Sequence, residues 1–178
     1  MWTTERLDPQ HAASYRALML EAYERHPESF TSSVQERAAL PLSWWEARLS
    51  QGSHAKDVVL GVQQDGEIIG VVGLSFSARE RARHKALMFG MYVPGPHQGK
   101  GLGRLLVDAA LAVARQRQHV RVLQLTVTET NLSALKLYER CGFEPFGIEP
   151  CAVALGDGFL AKVHMWRWVQ ASDHTFAP

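Results

Sequence analysis

The sequence predicts a mixed α/β (α+β) fold: a central mixed sheet of six to seven strands flanked by about four helices. Three observations carry this. Segments with strand and helix patterning follow one another in the order β-α-α-β-β-β-α-β-α-β-β. Asp65-Gly66 lies between two apolar segments of strand length, the signature of a tight antiparallel hairpin. A later strand, helix and strand form one βαβ unit, which demands parallel neighbours. At 178 residues, the chain fits a single domain over 1–178.

Residues 2–7 read as a short first strand. Asp8-Pro9 reads as the N-cap and first position of a helix, with Leu18, Met19 and Ala22 on its apolar face and an end near His26-Pro27. A second helical region lies between 32 and 51. Pro41 breaks it, Ser43 is placed to cap a new start before Trp44-Trp45, and Gly52 stops it. Residues 58–63 and 68–76 are the hairpin strands. Residues 77–84 are polar and basic, hence a loop. The apolar run 86–93 reads as a buried strand, 102–117 as an apolar helix, and 121–128 as an alternating strand. Residues 132–141 form a helix closed by Gly142. Residues 151–155 and 159–168 are two last strands joined through Gly156-Asp157-Gly158.

Composition excludes several classes. Hydrophobic residues make up 46% and charged residues 21%, enough for a core without disulfide staples. Net charge is +1 and no basic block occurs, so no nucleic-acid partner and no anionic membrane surface is expected. No apolar run approaches a membrane span, and the N-terminus lacks a signal pattern. The two cysteines, Cys141 and Cys151, have no metal-ligand spacing, and no H-E-x-x-H is found, so no metal is expected. A reduced, cytoplasmic setting is the default expectation.

The chemistry concentrates at Gln98-Gly99-Lys100-Gly101-Leu102-Gly103, between a strand and a helix. Glycines let backbone approach a ligand closely. A helix start offers unpaired N–H groups and the positive end of the helix dipole, an anion site suited to pyrophosphate. Lys100 and Arg104 add charge. The P-loop spacing G-x-x-x-x-G-K-[ST] fails: the Gly95-to-Gly99 interval is one residue short, and Gly101 replaces the hydroxyl. The Rossmann spacing fails too, because Arg104 stands at the third glycine position. A glycine turn required only for packing is the alternative.

What fits is Q-x-x-G-x-G as Gln98, Gly101 and Gly103, preceded by Met91-Tyr92-Val93 and followed by Leu105-Leu106. This resembles the coenzyme A motif of the GNAT superfamily of N-acetyltransferases. A second stretch, Asn131-Leu132-Ser133-Ala134-Leu135-Lys136-Leu137-Tyr138-Glu139-Arg140-Cys141-Gly142-Phe143, resembles that family's other signature, with its Asn, Ala and Tyr. The resemblance covers residues 56–143 well and the ends only in pattern. It implies acetyl-CoA as acyl donor and a primary amine, small molecule or peptide or protein N-terminus, as acceptor by direct attack. A homodimer is possible, since many relatives pair through C-terminal strands. The alternative is a module that binds acyl-CoA without catalysis.

The resemblance also implies site roles. Met91, Tyr92 and Val93 would offer backbone N–H groups to the thioester oxygen. Gly90 and Pro94 flank them, which suits a splayed strand end. Gln98 to Arg104 would hold the pyrophosphate, with Asn131 and Ala134 further along the cofactor. Tyr138, two turns after Asn131, would give the departing thiolate a proton, as a phenol with pKa of about 10 remains protonated at neutral pH. The base is open. Residues 86–93 contain no carboxylate, and Glu129, Glu67 and His84 are candidates that also read as surface residues. Cys141 reads as a buried hydrophobe rather than a nucleophile. Trp44, Trp45 and Phe30 either line an acceptor pocket or pack helices on the sheet. Lys162 and His164 occupy a stretch where the family sometimes carries acids, so no acidic role is assigned there.

Overall fold

The computed structural model describes residues 2–170; Met1 and residues 171–178, at the ends of the expected 1–178 domain, lie outside it. β1 (Thr4–Arg6) leads through a 3-10 turn, Pro9–His11, into α1 (Ala12–Arg25). Then follow α2 (Val34–Ala38), α3 (Leu42–Arg48), β2 (Asp57–Gln64), β3 (Glu67–Phe76) and β4 (Lys85–Tyr92). The chain continues through α4 (Leu102–Gln116), β5 (Val122–Thr128), α5 (Leu132–Arg140), β6 (Glu144–Leu155) and β7 (Gly158–Trp168). The seven strands form one sheet in the order β1-β2-β3-β4-β5-β7-β6, with β4 and β5 parallel and every other pair antiparallel.

The β-branched runs of β2 and β3 suit a sheet covered on both faces. Their hairpin closes through Asp65 and Gly66 at φ 51 and 83, the doubly positive geometry that matches strand twist. Helix α4 buries Leu102, Leu106, Val107, Ala110, Leu111 and Ala114 on one stripe, while Arg104 and Asp108 stay exposed. That stripe shares one core with Val58, Leu60, Val62, Met88 and Tyr138. The opposite face carries a second core, in which Tyr15, Met19, Ala22, Trp45 and Leu49 pack on Val59 and Val71. Trp45 is fully buried, edge-on to Tyr15 at 5.6 Å between centroids.

Several local expectations change. Asp8 caps the 3-10 turn rather than α1 itself, accepting from the Gln10 amide at 2.9 Å. Ser43 lies inside α3, whose N-cap is Pro41. Ser33 is the hydroxyl cap of this region: it accepts from the Glu36 amide, and Glu36 accepts from the Ser33 amide in return, which starts the separate short helix α2. A 3-10 turn, Glu80–Ala82, interrupts the expected loop. Strand β6 begins at Glu144, not 151. Pro145, Gly147 and Pro150 resemble breakers, but β6 is an edge strand, where missing donors are tolerated. Its pairing with β7 slips between Pro145 and Gly147 and between Glu149 and Val153, with Cys151 at φ 52 in the second irregularity.

Burial pushes the Tyr15 phenol up to about 12. Burial and the Glu21 carboxylate, which accepts its hydroxyl proton at 3.1 Å, push Tyr92 up to about 12 as well. These folded-state values lie above the unfolded value of about 10, so their contribution is intact below pH ~10 and is lost as pH climbs toward 12. Urea midpoints should therefore hold from pH 8 to 10 and fall steeply between 10 and 12. A midpoint unchanged across the upper window contradicts this.

Candidate active site

The parallel β4–β5 edge is only partly zipped. Lys85, Ala86 and Leu87 pair with Val122, Leu123 and Gln124, and the pairing stops there. On its other edge β4 is bulged: Val71 pairs with Tyr92 but Gly73 with Phe89, so Gly90 and Met91 together oppose Val72. Gly90 takes φ 57, a conformation that a side chain resists. A bulge adds twist and bends the strand that carries it. β4 thus turns away while β5 continues straight along β7. The expected irregular strand end is present.

The parted seam opens a cavity of about 420 Å³. Met88, Phe89, Gly90 and Met91 line it from β4, and Leu125, Val127 and Thr128 from β5. Tyr23 and Phe30 close it from the α1 side, and Asn131, Ala134 and Tyr138 from α5. The cavity therefore joins the two faces of the sheet. Thr128 helps set its wall by donating from its hydroxyl to the Glu28 carbonyl at 2.7 Å, which ties the segment after α1 to β5.

Tyr138 is buried, edge-on to Phe143, with its hydroxyl 3.9 Å from the Met91 sulfur on the bulge. Burial, and then the neighbouring Cys141, raises its pKa well above the usual phenol value. Tyr138 thus keeps its proton through the neutral range. Asn131 caps α5: its Oδ1 accepts from the Ala134 amide and the Ser133 hydroxyl, both at 3.1 Å. Its Nδ2 stands 3.5 Å from the Ser29 hydroxyl.

The glycine turn lies outside the cavity lining, at the start of α4. Gln98 donates from its side-chain amide to the Val93 carbonyl at 2.8 Å, which pins the turn to the end of β4. Gly99 and Gly101 take φ 74 and 85, and Gly101 is the N-cap. Among the described residues, the amides from Gly99 to Arg104 have no hydrogen-bond acceptor. They form a cluster of free donors at a helix start, with exposed Lys100 beside them. Leu102 is buried and contributes only its backbone here. Gly103 lets α5 approach: a Cβ there would sit 2.9 Å from Leu137 Cδ2. Arg104 is held by Asp108 at 2.8 Å and by the Arg140 carbonyl at 3.3 Å. Tyr92 points toward α1 and bonds Glu21.

None of the three base candidates lines the cavity. Glu129 accepts from the Ala161 amide at 3.1 Å, Glu67 is exposed at the β2–β3 hairpin, and the His84 carbonyl receives the Arg121 and Val122 amides at the zipped end of the seam. Cys141 is buried, and burial pushes its thiol up, which suits a hydrophobe. Of the aromatic trio, Phe30 lines the cavity and Trp45 belongs to the core. Trp44 stands behind the wall, where it carries two arginines that the sequence reading missed: the Arg37 guanidinium lies 4.8 Å and that of Arg48 4.6 Å from its ring centroid. Arg37, Arg48, Lys56, Asp57 and Lys162 all line the cavity. Helices α2 and α3, which carry Arg37 and Arg48, are too short to show periodicity, so only the tryptophan pair marked the region.

The sheet is thus parted at its one parallel edge, with free amides at a helix start and a buried phenol on the wall. The chain belongs to the GNAT acetyltransferase family, whose model matches residues 17–143. It is 28% identical over 133 residues to a mycothiol acetyltransferase of Salinispora tropica, covering 73% of this chain and 40% of that one. It therefore spans about two fifths of the length of that relative. Its fold superposes on an acetyltransferase of the GNAT family from Streptococcus pneumoniae with TM-score 0.83 and 26% identity, over 94% of this chain and 99% of the other. It also superposes on yncA from Salmonella typhimurium, solved with its cofactor acetyl-CoA, with TM-score 0.79 and 22% identity over 100% and 98% of the two chains. Among the described residues, no helix is long and apolar enough to cross a membrane, and no group of three His, Cys, Asp or Glu could hold a metal.

Proposed function

We propose that the chain is a single-domain N-acetyltransferase that transfers acetyl from acetyl-CoA to a primary amine by direct attack. The observation that carries this is the parted β4–β5 seam with Tyr138 on its wall. The residues present fit the donor. Free amides from Gly99 to Arg104 suit a pyrophosphate. The β4 edge from Met91 to Val93, turned away from β5, is free to pair with an extended arm. Bound acetyl-CoA supplies the activated thioester acetyl.

The chain's own residues then have distinct tasks. Gln98 fixes the turn to β4, so phosphate grip and strand edge keep one geometry. Backbone donors of Met91 to Val93 stabilise charge on the thioester oxygen. Asn131 starts α5 and Ala134 leaves room beside the cofactor, which together place Tyr138. Tyr138 gives its hydroxyl proton to the leaving sulfur and is reprotonated from solvent, which takes up the proton that the attacking amine loses, so one proton lost by the amine balances one gained by the thiol. The raised pKa of Tyr138 keeps its proton available at neutral pH. The lining carboxylate, Asp57, faces Arg48 at 3.6 Å, so we assign the amine's proton to solvent rather than to a side-chain base. Free Cys141 and Cys151 suit a reduced, cytoplasmic setting.

The test is thiol release from acetyl-CoA across amino acids, polyamines, aminoglycosides and N-terminal peptides. Turnover with one class is the expected result. Tight acetyl-CoA binding with no turnover across the panel would support the other reading, a binding module, which the occupied state of Asp57 favours.

A homodimer through the C-terminal hairpin is part of the same proposal. Phe146, Ile148, Leu155 and Phe159 stand exposed along β6 and β7. Light scattering should give twice the 19.9 kDa chain mass, and Ile148→Asp should return it to one. A monomer for the unaltered chain ends the dimer proposal.

A further inference from the structure

We propose that the acceptor amine carries a carboxylate or similar oxyanion, held by Arg37, and thus belongs to the α-amino-acid class of substrates. This rests on the acetyltransferase reading and narrows it. The cavity lining on the α1–α3 side is strongly one-signed. Arg37, Arg48, Lys56 and Lys162 line it, and Asp57 is the sole lining carboxylate among the described residues. Asp57 is already engaged by Arg48 at 3.6 Å. Lys162 donates to the Thr31 hydroxyl at 2.6 Å, and its charged neighbour, Glu149, is bonded to His164 at 3.0 Å.

Arg37 is different. Among the described residues its guanidinium has no hydrogen bond and no ion pair, and its Nε is buried without a partner. It rests on two aromatic rings, 5.9 Å from the Tyr23 centroid and 4.8 Å from that of Trp44. Stacking fixes the plane of the fork but satisfies none of its donors. A planar, positively charged fork at a cavity wall matches a carboxylate with two parallel bonds. Arg48, on the same Trp44 ring, adds field of the same sign. A polyamine would meet like charge, which costs affinity. The volume of about 420 Å³ suits a metabolite. Tyr138 lines the same cavity, so a substrate anchored at Arg37 lies in one continuous space with the proton donor.

The experiment compares free L-amino acids with the matching amino-acid amides and with spermidine, read as thiol release from acetyl-CoA. The best amino acid should exceed its amide in kcat/KM by about 30-fold or more. Arg37→Gln should raise KM for the amino acid and bring that ratio near one, and Arg37→Lys should restore part of it. Amides or spermidine turning over as well as the acids would overturn the assignment and leave the acetyltransferase reading standing. Calorimetry gives a readout without chemistry: the CoA-loaded protein should bind N-acetyl-amino acids and reject their amides, and Arg37→Gln should abolish the difference. Selective binding without any thiol release would sink the acetyltransferase reading and keep the pocket assignment. Thermal unfolding of each variant establishes that the exposed helix α2 tolerates the change.

Discussion

Tyr138→Phe is expected to slow acetyl-CoA-dependent thiol release about 10²–10³-fold while acetyl-CoA affinity stays within about twofold. The substitution removes one oxygen. The ring keeps its edge contact with Phe143, and the hydroxyl's partner in the protein is a sulfur at 3.9 Å, a weak acceptor. Stability should therefore change little. The loss falls on the step in which sulfur departs, because the seam wall then has no proton to give. Burial raises the Tyr138 pKa, so the wild-type rate should show no decline assignable to this group below pH ~10. Steady-state kinetics and calorimetry on one preparation decide the matter. Unchanged turnover removes Tyr138 from the mechanism, and lost cofactor binding makes it a binding residue instead.

Gly101→Val should weaken acetyl-CoA binding about 10- to 100-fold with the fold intact. Gly101 stands at φ 85, where a β-branched residue is strained by a few kcal/mol. A Cβ built there meets nothing within 4 Å, so no steric clash confuses the result. Relief of strain must rotate the turn, which scatters the amides from Gly99 to Arg104. Gly95→Ala is the control in the same loop: its Cβ also meets nothing, and its φ is not positive. It should bind acetyl-CoA like the unaltered protein. Equal affinity in the Gly101 variant would show that the turn does not grip the cofactor.

The geometry of the glycine turn and of the Asn131 cap was legible because it is written in local chemistry. Glycines at a strand-to-helix turn, and an Asn cap followed by Tyr138, act over a few residues, and each announces its geometry. The parallel β4–β5 pair followed from one helix between two apolar strands. The acceptor half was not legible. Arg37 and Lys162 come to one cavity from α2 and β7, 125 positions apart in the chain, and no periodicity links them. Trp44 and Trp45 looked alike as neighbours, yet one carries cations at the wall while the other fills the core. Strand β6 hid behind Pro145, Gly147 and Pro150 because its tolerance for them depends on being the outermost strand, a property of the whole sheet.

The partly zipped edge has a mechanical consequence. Three residue pairs at one end join the ribbon β1–β4 to the ribbon β5–β7–β6, while the open end is bridged by side-chain ties, Thr128 to the Glu28 carbonyl and Lys162 to the Thr31 hydroxyl. On the proposed function, a donor arm laid along β4 would supply the missing rungs and brace the sheet. Release of the spent arm would then loosen the same seam that its binding braced, and a tighter grip on the donor would slow the escape of its thiol.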